Sequence, residues 1–134
     1  MIAYNSKTNE YRVLSFEELP QPDEVALPVE GLGVKITTAS ETEIVEGVKQ
    51  GLIRQLKENT TYAIRKRVEV HEERNCALGI YDEERTEQIK NTIAKIRNAY
   101  LQIKQNILNA TSLAELVELK KSIEVSEIEK LAGV

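Results

Sequence analysis

The chain is poor in the residues that build aromatic cores, disulfides and metal sites. Its 134 residues include no tryptophan, one phenylalanine, one cysteine and one histidine. Because Cys76 is the single cysteine, a disulfide within the chain is excluded, and a reducing compartment is expected. The composition is 41% hydrophobic and 30% charged but only 4% aromatic. It therefore predicts an aliphatic core under a well-solvated surface, which favours helices over a β-sandwich.

Long apolar runs and basic tracts are also missing. No run reaches the roughly 18 apolar residues of a membrane span, and the amino terminus lacks the blocks of a secretory signal. We expect a soluble, unprocessed protein with no membrane partner. The net charge of -4 is divided as -3 over residues 1–37, 0 over 38–81 and -1 over 82–134. No segment offers the basic field that attracts nucleic acid.

Recognisable catalytic, cofactor and metal motifs are absent as well. His71 lies five positions before Cys76, a poor register for a dyad on one helical face, and no third group accompanies them. No H-x-x-x-H, C-x-x-C or G-K-[ST] pattern occurs, and the G-L-G at residues 31–33 lacks the third glycine of a dinucleotide loop. The sequence predicts no catalytic residue, no cofactor and no bound metal, and therefore a protein that is not an enzyme.

Proline marks the main internal boundary, because all three prolines precede residue 29 and none follows. We predict a small strand-rich head over residues 1–37 and a helical oligomerisation region over 38–134. In the head, N-S-K-T-N predicts the turn of a hairpin over residues 2–15, and S-F-E-E-L-P predicts one helical turn capped by Ser15 and Glu18. D-E-V-A-L-P-V-E and G-V-K-I-T-T predict two further strands around the glycines at 31 and 33.

Helical periodicity and capping signals fill the rest of the chain. Ser40 with Glu43, Asp82, and Ser112 with Glu115 are typical helix starts. They predict helices over residues 40–58, 82–110 and 112–123, with a last fragment from Ser126 to Gly133. Residues 60–71 suit either a helix or a strand face, and the helix is favoured. The fold class is therefore α+β: a small N-terminal β region followed by a mainly α-helical hairpin or bundle with a long C-terminal helix.

The predicted helix 82–110 carries one regular apolar stripe, which we call the isoleucine seam. Its residues are spaced 4, 3, 4, 3 and 4 apart, as in a coiled coil: Ile89, Ile93, Ile96, Tyr100, Ile103 and Ile107. Two interpretations stay open. The seam packs against another helix of the same chain, or it joins chains into a homo-oligomer, since a small head would hardly cover about 40 Å of helix.

The only basic concentration is Arg65, Lys66 and Arg67, with Arg54 and Lys57 upstream. Phosphate contacts are one interpretation of it. Four glutamates surround the cluster, and only Tyr62 would offer a base a stacking surface. A solvated helix face is therefore the better interpretation, and we do not expect a nucleic-acid partner.

Three stretches resemble the small accessory proteins of tailed bacteriophages, in particular the tail-fibre assembly and tail-associated group. They are Y-N-S-K-T-N-E-Y, L-P-Q-P-D-E-V-A-L-P and A-T-S-L-A-E-L. The similarity is a general one that extends over the whole chain and includes no diagnostic motif. The resemblance implies a virion component or tail assembly protein that acts through its surfaces. Such a protein would bind other virion or assembly proteins, in the host cytoplasm during assembly or in the virion. The alternative is a small helical regulator, such as an antitoxin, that uses Arg65, Lys66 and Arg67.

Overall fold

A computed structural model describes all of residues 1–134 and has the predicted α+β architecture. A three-stranded antiparallel sheet comprises β1 (Ile2–Asn5), β2 (Glu10–Val13) and β3 (Glu24–Leu27), with β1 in the centre. Five helices follow the sheet: α1 (Glu41–Arg67), α2 (Val70–Ala77), α3 (Glu83–Asn109), α4 (Leu113–Lys120) and α5 (Val125–Ala132). Short 3-10 helices cover Gly33–Thr37 and Lys121–Ile123.

The predicted hairpin is confirmed. Ile2 pairs with Val13 and Asn5 with Glu10, so the turn lies over N-S-K-T-N as expected. Asn9 takes a positive φ of 57°, a conformation that asparagine tolerates better than most residues. Its side chain accepts a hydrogen bond from the Tyr4 hydroxyl at 2.6 Å. The hairpin is therefore closed by turn chemistry that the sequence carries locally.

One predicted strand is wrong. G-V-K-I-T-T does not pair with the sheet but forms the 3-10 helix Gly33–Thr37, with the Lys35 amide bonded to the Leu32 carbonyl at 3.0 Å. Gly31 and Gly33 both have positive φ, and they turn the chain away from the sheet before a fourth strand can pair. The predicted helical turn at residues 15–18 is a single turn, closed by a bond from the Glu18 amide to the Ser15 carbonyl.

Helix boundaries follow the capping residues closely. Ser40 and Glu43 form a reciprocal capping box, Asp82 caps α3, and the Ser112 side chain accepts from the Glu115 amide. The ambiguous stretch 60–71 is helical to Arg67, as favoured. The chain then breaks at Val68 and restarts at α2, where Glu69 and Glu72 form a second capping box.

The core is aliphatic and is shared by the head and the helices. α1 contacts α3 along its length, and α5 contacts both of them. Leu52, Leu56 and Ile96 are fully buried, and each contributes roughly 1.5–3 kcal/mol relative to an exposed position. Ile2 and Leu27 from the sheet belong to the same continuous core. The head is therefore built onto the helices, whatever its separate role in function.

Two helical glycines let the head approach α1 closely. The Glu30 amide donates to the Gly47 carbonyl at 3.0 Å, so the segment after β3 lies directly on the helix backbone. A Cβ at Gly51 would lie 2.8 Å from the Cβ of Pro28, well inside van der Waals contact. Gly47 and Gly51 both have ordinary helical backbone angles, so neither is needed for a positive φ. Glycine is required at these two positions because a larger residue would not fit.

We predict that Gly51→Ala destabilises the protein although alanine is the better helix former. The added methyl group meets the Pro28 ring and backbone, and such overpacking costs about 1–3 kcal/mol, which outweighs a propensity gain of up to about 1 kcal/mol. Urea unfolding measures the difference. The control is Gln50→Ala, at an exposed neighbouring position. A Gly51→Ala protein as stable as that control would contradict the close approach.

Candidate docking surfaces

The isoleucine seam is occupied within the single chain. Its five isoleucines are buried and Tyr100 is half-buried, in the core shared with α1 and α5. Packing within the chain, one of the two interpretations, therefore describes these side chains. Self-association of the chain stays a prediction, but association through this seam would require the core to open.

The basic cluster is neutralised by neighbouring carboxylates. Arg65 contacts Glu73 at 2.8 Å, and Lys66 contacts Glu129 at 3.2 Å. Arg67 pairs with the same Glu129 carboxylate, and these two cations lower the pKa of Glu129. The three cations are thus directed at carboxylates of their own chain.

The residues tested for chemistry are engaged in helix capping or packing. Glu69, His71 and Glu72 place potential metal ligands within 4.8 Å of one another. Glu69 and Glu72, however, already accept backbone amides in the capping box of α2, and His71 Nδ1 lies 3.1 Å from Glu69. Cys76 is buried in the core. Capping thus engages Glu69 and Glu72, His71 contacts Glu69, and Cys76 packs in the core.

A turn in the head exposes large apolar side chains. Phe16, the only phenylalanine, is fully exposed, and Leu19 is 82% exposed. Both lie on the connection between β2 and β3, over residues 15–19, which we call the head turn. A single exposed apolar side chain is ordinary, but two of this size one turn apart form a small patch that a binding partner would cover.

An arginine clamp fixes the head turn. Arg12, on β2, donates to the Glu24 carboxylate at 2.9 Å and to the Glu18 carboxylate at 2.8 Å. These bonds raise the pKa of Arg12 and hold the pKa of Glu24 below its usual value. The pKa of Glu18 is also lowered, chiefly by its hydrogen bond to Ser15 and then by Arg12. One guanidinium thus ties the head turn, at Glu18, to the start of β3, at Glu24, so the exposed side chains are presented from an ordered turn.

A groove runs between α1 and α3 on the helical part. It encloses about 430 Å³. Its walls combine aliphatic, hydroxyl and cationic side chains: Lys57, Thr60, Thr61, Ile64 and Arg65 from α1, and Arg97, Tyr100 and Leu101 from α3. Leu101 is 57% exposed although it lies on a long packed helix. We call this the α1–α3 groove.

A second hollow of about 490 Å³ extends the groove along α3 towards α2, and the two share Arg97 and Leu101. The charged residues of α3 beside it are all basic. No acidic residue occurs between Glu87 and Glu115, whereas four basic residues do: Lys90, Lys95, Arg97 and Lys104. In a chain with a net charge of -4, this is a local basic field on one helix.

One wall residue of the groove has an unsatisfied polar group. Thr60 is buried, and its hydroxyl has no hydrogen-bond partner in the chain. A helical threonine commonly donates to the carbonyl one turn back, and an unpaired buried hydroxyl costs about 1–3 kcal/mol. Thr60 is the only such side chain in the protein, and it lies at the groove.

Sequence reasoning located the head but missed both surfaces. F-E-E-L predicts a capped turn, but this pattern does not indicate that the side chains of Phe16 and Leu19 are exposed. The absence of acidic residues between Glu87 and Glu115 was available as a signal for the α3 surface. The groove itself was not, because it depends on how α1 and α3 lie against each other.

The chain matches no protein-family model, no curated protein and no solved structure. No helix has both the length and the apolar character that crossing a membrane requires. The proposals below therefore depend on the residues of this chain alone.

The clamp gives a pH-dependent prediction. A glutamate whose pKa is lowered by folding contributes stability that is present above its unfolded pKa and lost as pH falls through its folded pKa. We expect the carboxyl carbons of Glu18 and Glu24 to titrate in NMR with a pKa below that of an ordinary glutamate, and the loop to stay ordered until they do. In Arg12→Gln both midpoints should rise, whereas Arg74→Gln, at an exposed site, should leave them unchanged. Midpoints unaffected by Arg12→Gln would contradict the clamp.

Proposed function

We propose that this protein is a non-enzymatic assembly protein of tailed bacteriophages or prophages, either a virion structural component or a tail assembly factor. It acts by docking to other proteins and to copies of itself. The resemblance of its sequence to tail accessory proteins supports the viral part of the proposal. The exposed head turn supports the docking part, and it is the single observation that carries the function.

The head turn has the properties of a preorganised binding element. Binding is strengthened when the exposed groups are already held in their bound geometry, since less conformational freedom is lost on association. Phe16 and Leu19 project from the head turn, which Arg12 fixes through Glu18 and ties to the start of β3 through Glu24. Aromatic anchors of this kind often dominate the energetics of an interface.

A role in docking also explains an otherwise unfavourable surface. Exposed Phe and Leu side chains add nothing to the stability of the chain, and both positions would accept polar residues without loss of a contact. The neighbouring Pro20 and Pro22 restrict the backbone on the far side of the turn, which again limits the entropy lost on binding.

Loss of the two anchors tests the function. We expect Phe16→Ser with Leu19→Ser to leave folding unchanged by circular dichroism but to weaken docking by about 30-fold, as removal of a hot spot worth about 2 kcal/mol would do. In the phage or prophage that carries the gene, the number of complete tailed particles counted by electron microscopy should fall correspondingly. The control is Val34→Ser, at a head position that is 91% exposed. Normal particle yield from the double variant would overturn the proposal.

The alternative function is a regulatory module that binds nucleic acid through Arg65, Lys66 and Arg67. The ion pairs of these residues with Glu73 and Glu129 argue against it. We expect DNA and RNA binding weaker than about 100 μM at physiological salt, the weak end of non-specific affinity. Filter binding at two salt concentrations measures it. Sub-micromolar, salt-sensitive binding that Arg65→Ala with Arg67→Ala abolishes would establish the regulator instead, and toxin or operator neighbours of the gene would agree.

A further inference from the structure

The head turn and the α1–α3 groove are each incomplete in a single chain. The turn exposes two apolar side chains and an acidic one, Glu17, that makes no ion pair within the chain. The groove exposes Leu101 beside Lys57, which also has no carboxylate partner, and contains the unpaired hydroxyl of Thr60. One surface is apolar and acidic, and the other is apolar and basic.

We propose that these two surfaces bind each other between copies, so that the head turn of one chain docks in the α1–α3 groove of the next. This inference rests on the proposed function, because it names a second copy of the chain as the occupant of one docking surface. It differs from oligomerisation through the five buried isoleucines of the seam, which would have to open the core; of the seam, only the half-buried Tyr100 lines the groove.

The head turn and the α1–α3 groove each expose one aromatic side chain and at least one aliphatic side chain. Phe16 and Leu19 lie three residues apart in the head turn, and both side chains are exposed. The groove presents Tyr100, Ile64 and Leu101 over about 430 Å³, which is in the range of pockets that bury a compact ligand. Phe16 brings an aromatic ring to Tyr100, and aromatic pairs are favourable when they stack offset or edge to face.

The charges are complementary as well. Residues 1–37 carry three basic and six acidic side chains. Glu17 is the acidic residue of the turn that Arg12 does not engage. The groove offers Lys57 and the exposed Arg97, whose contact with Glu73 is long at 3.8 Å. Docking places Glu17 in this basic field, which steers association and disfavours an inverted approach.

The contact has to be made between molecules. Phe16 is fully exposed, so it does not occupy the groove of its own chain. Because the two surfaces differ, the contact is heterologous, and each docked copy leaves one free turn and one free groove. Repetition therefore generates an open filament or a closed ring, of which a dimer with two reciprocal contacts is the smallest.

The contact is small, which sets the concentration at which it forms. Two anchor side chains and their rim bury less than the roughly 1,200 Å² of a standard stable interface. We therefore expect association at protein concentrations on the order of 100 μM, with strengthening when several contacts close a ring. The test has to span that concentration range.

Two variants separate the surfaces. The head variant is Phe16→Ser with Leu19→Ser, and the groove variant is Lys57→Glu with Leu101→Ser. All four positions are exposed, so both variants retain the fold, as circular dichroism checks. Sedimentation velocity up to about 1 mM should show dimers or larger species for the wild type, and monomers for each variant alone.

Mixing the variants is the decisive step. The intact head of the groove variant meets the intact groove of the head variant, so one contact forms and no second one can follow. The mixture should contain dimers and nothing larger. A monomeric wild type, association that survives in either variant, or a mixture that stays monomeric would each overturn the proposal.

Failure here is distinguishable from failure of the proposed function. If the wild type is monomeric but the head variant still loses particles, the turn docks on a different protein and only this inference fails.

A single-stranded oligonucleotide is titrated as well. If it bound the wild type and not the groove variant, the groove would be assigned to phosphate and self-docking would be overturned. No binding of the oligonucleotide is the result expected.

Discussion

The structure depends on burial of the isoleucine seam of α3 against α1 and α5. With no tryptophan and little other aromatic surface, the chain has to build its core from aliphatic side chains. The longest regular stripe it possesses supplies much of that core, including Ile96, Ile103 and Ile107. Once these isoleucines are buried, the flank of α3 that carries Arg97 and Leu101 remains exposed beside α1. The groove beside Leu101 and the cations along α3 follow directly from how the seam is used.

The head depends on the same constraint. Its strands are too short to be stable alone, and three strands of four residues need a helix to pack on. Gly47 and Gly51 provide that place, because they let Pro28 and Glu30 lie on the backbone of α1. The sheet is then held firmly enough that the connection after β2 can present Phe16 to solvent while Arg12 keeps it ordered. A rigid scaffold carrying an exposed loop is a common arrangement for binding.

The sequence predicted most of the architecture and little of the surface. Capping residues such as Ser40, Asp82 and Ser112 act locally, so helix starts could be predicted within a residue or two. The strand predicted over G-V-K-I-T-T is wrong, because Gly31 and Gly33 adopt positive φ values that turn the chain away from the sheet. Whether the isoleucine seam would face its own chain or another could not be decided from its period, which is the same in both cases. The groove arises from two helices about 40 residues apart in sequence, and no local pattern predicts it.

In the proposed assembly, the head turn of one copy contacts the α1–α3 groove of another, while the isoleucines of the seam remain in the core of each chain. Amide chemical shifts of the wild-type protein, followed by NMR from about 10 μM to 1 mM, test it most directly. Docking between copies predicts that the amide shifts of residues 15–19 and of the groove residues of α1 and α3 change with protein concentration. All of these changes should have the same midpoint concentration. The amides of Ile96 and Ile103 should show the slow hydrogen exchange of a closed core at every concentration. Shifts confined to one surface, or exchange at the seam that slows as concentration rises, would contradict it.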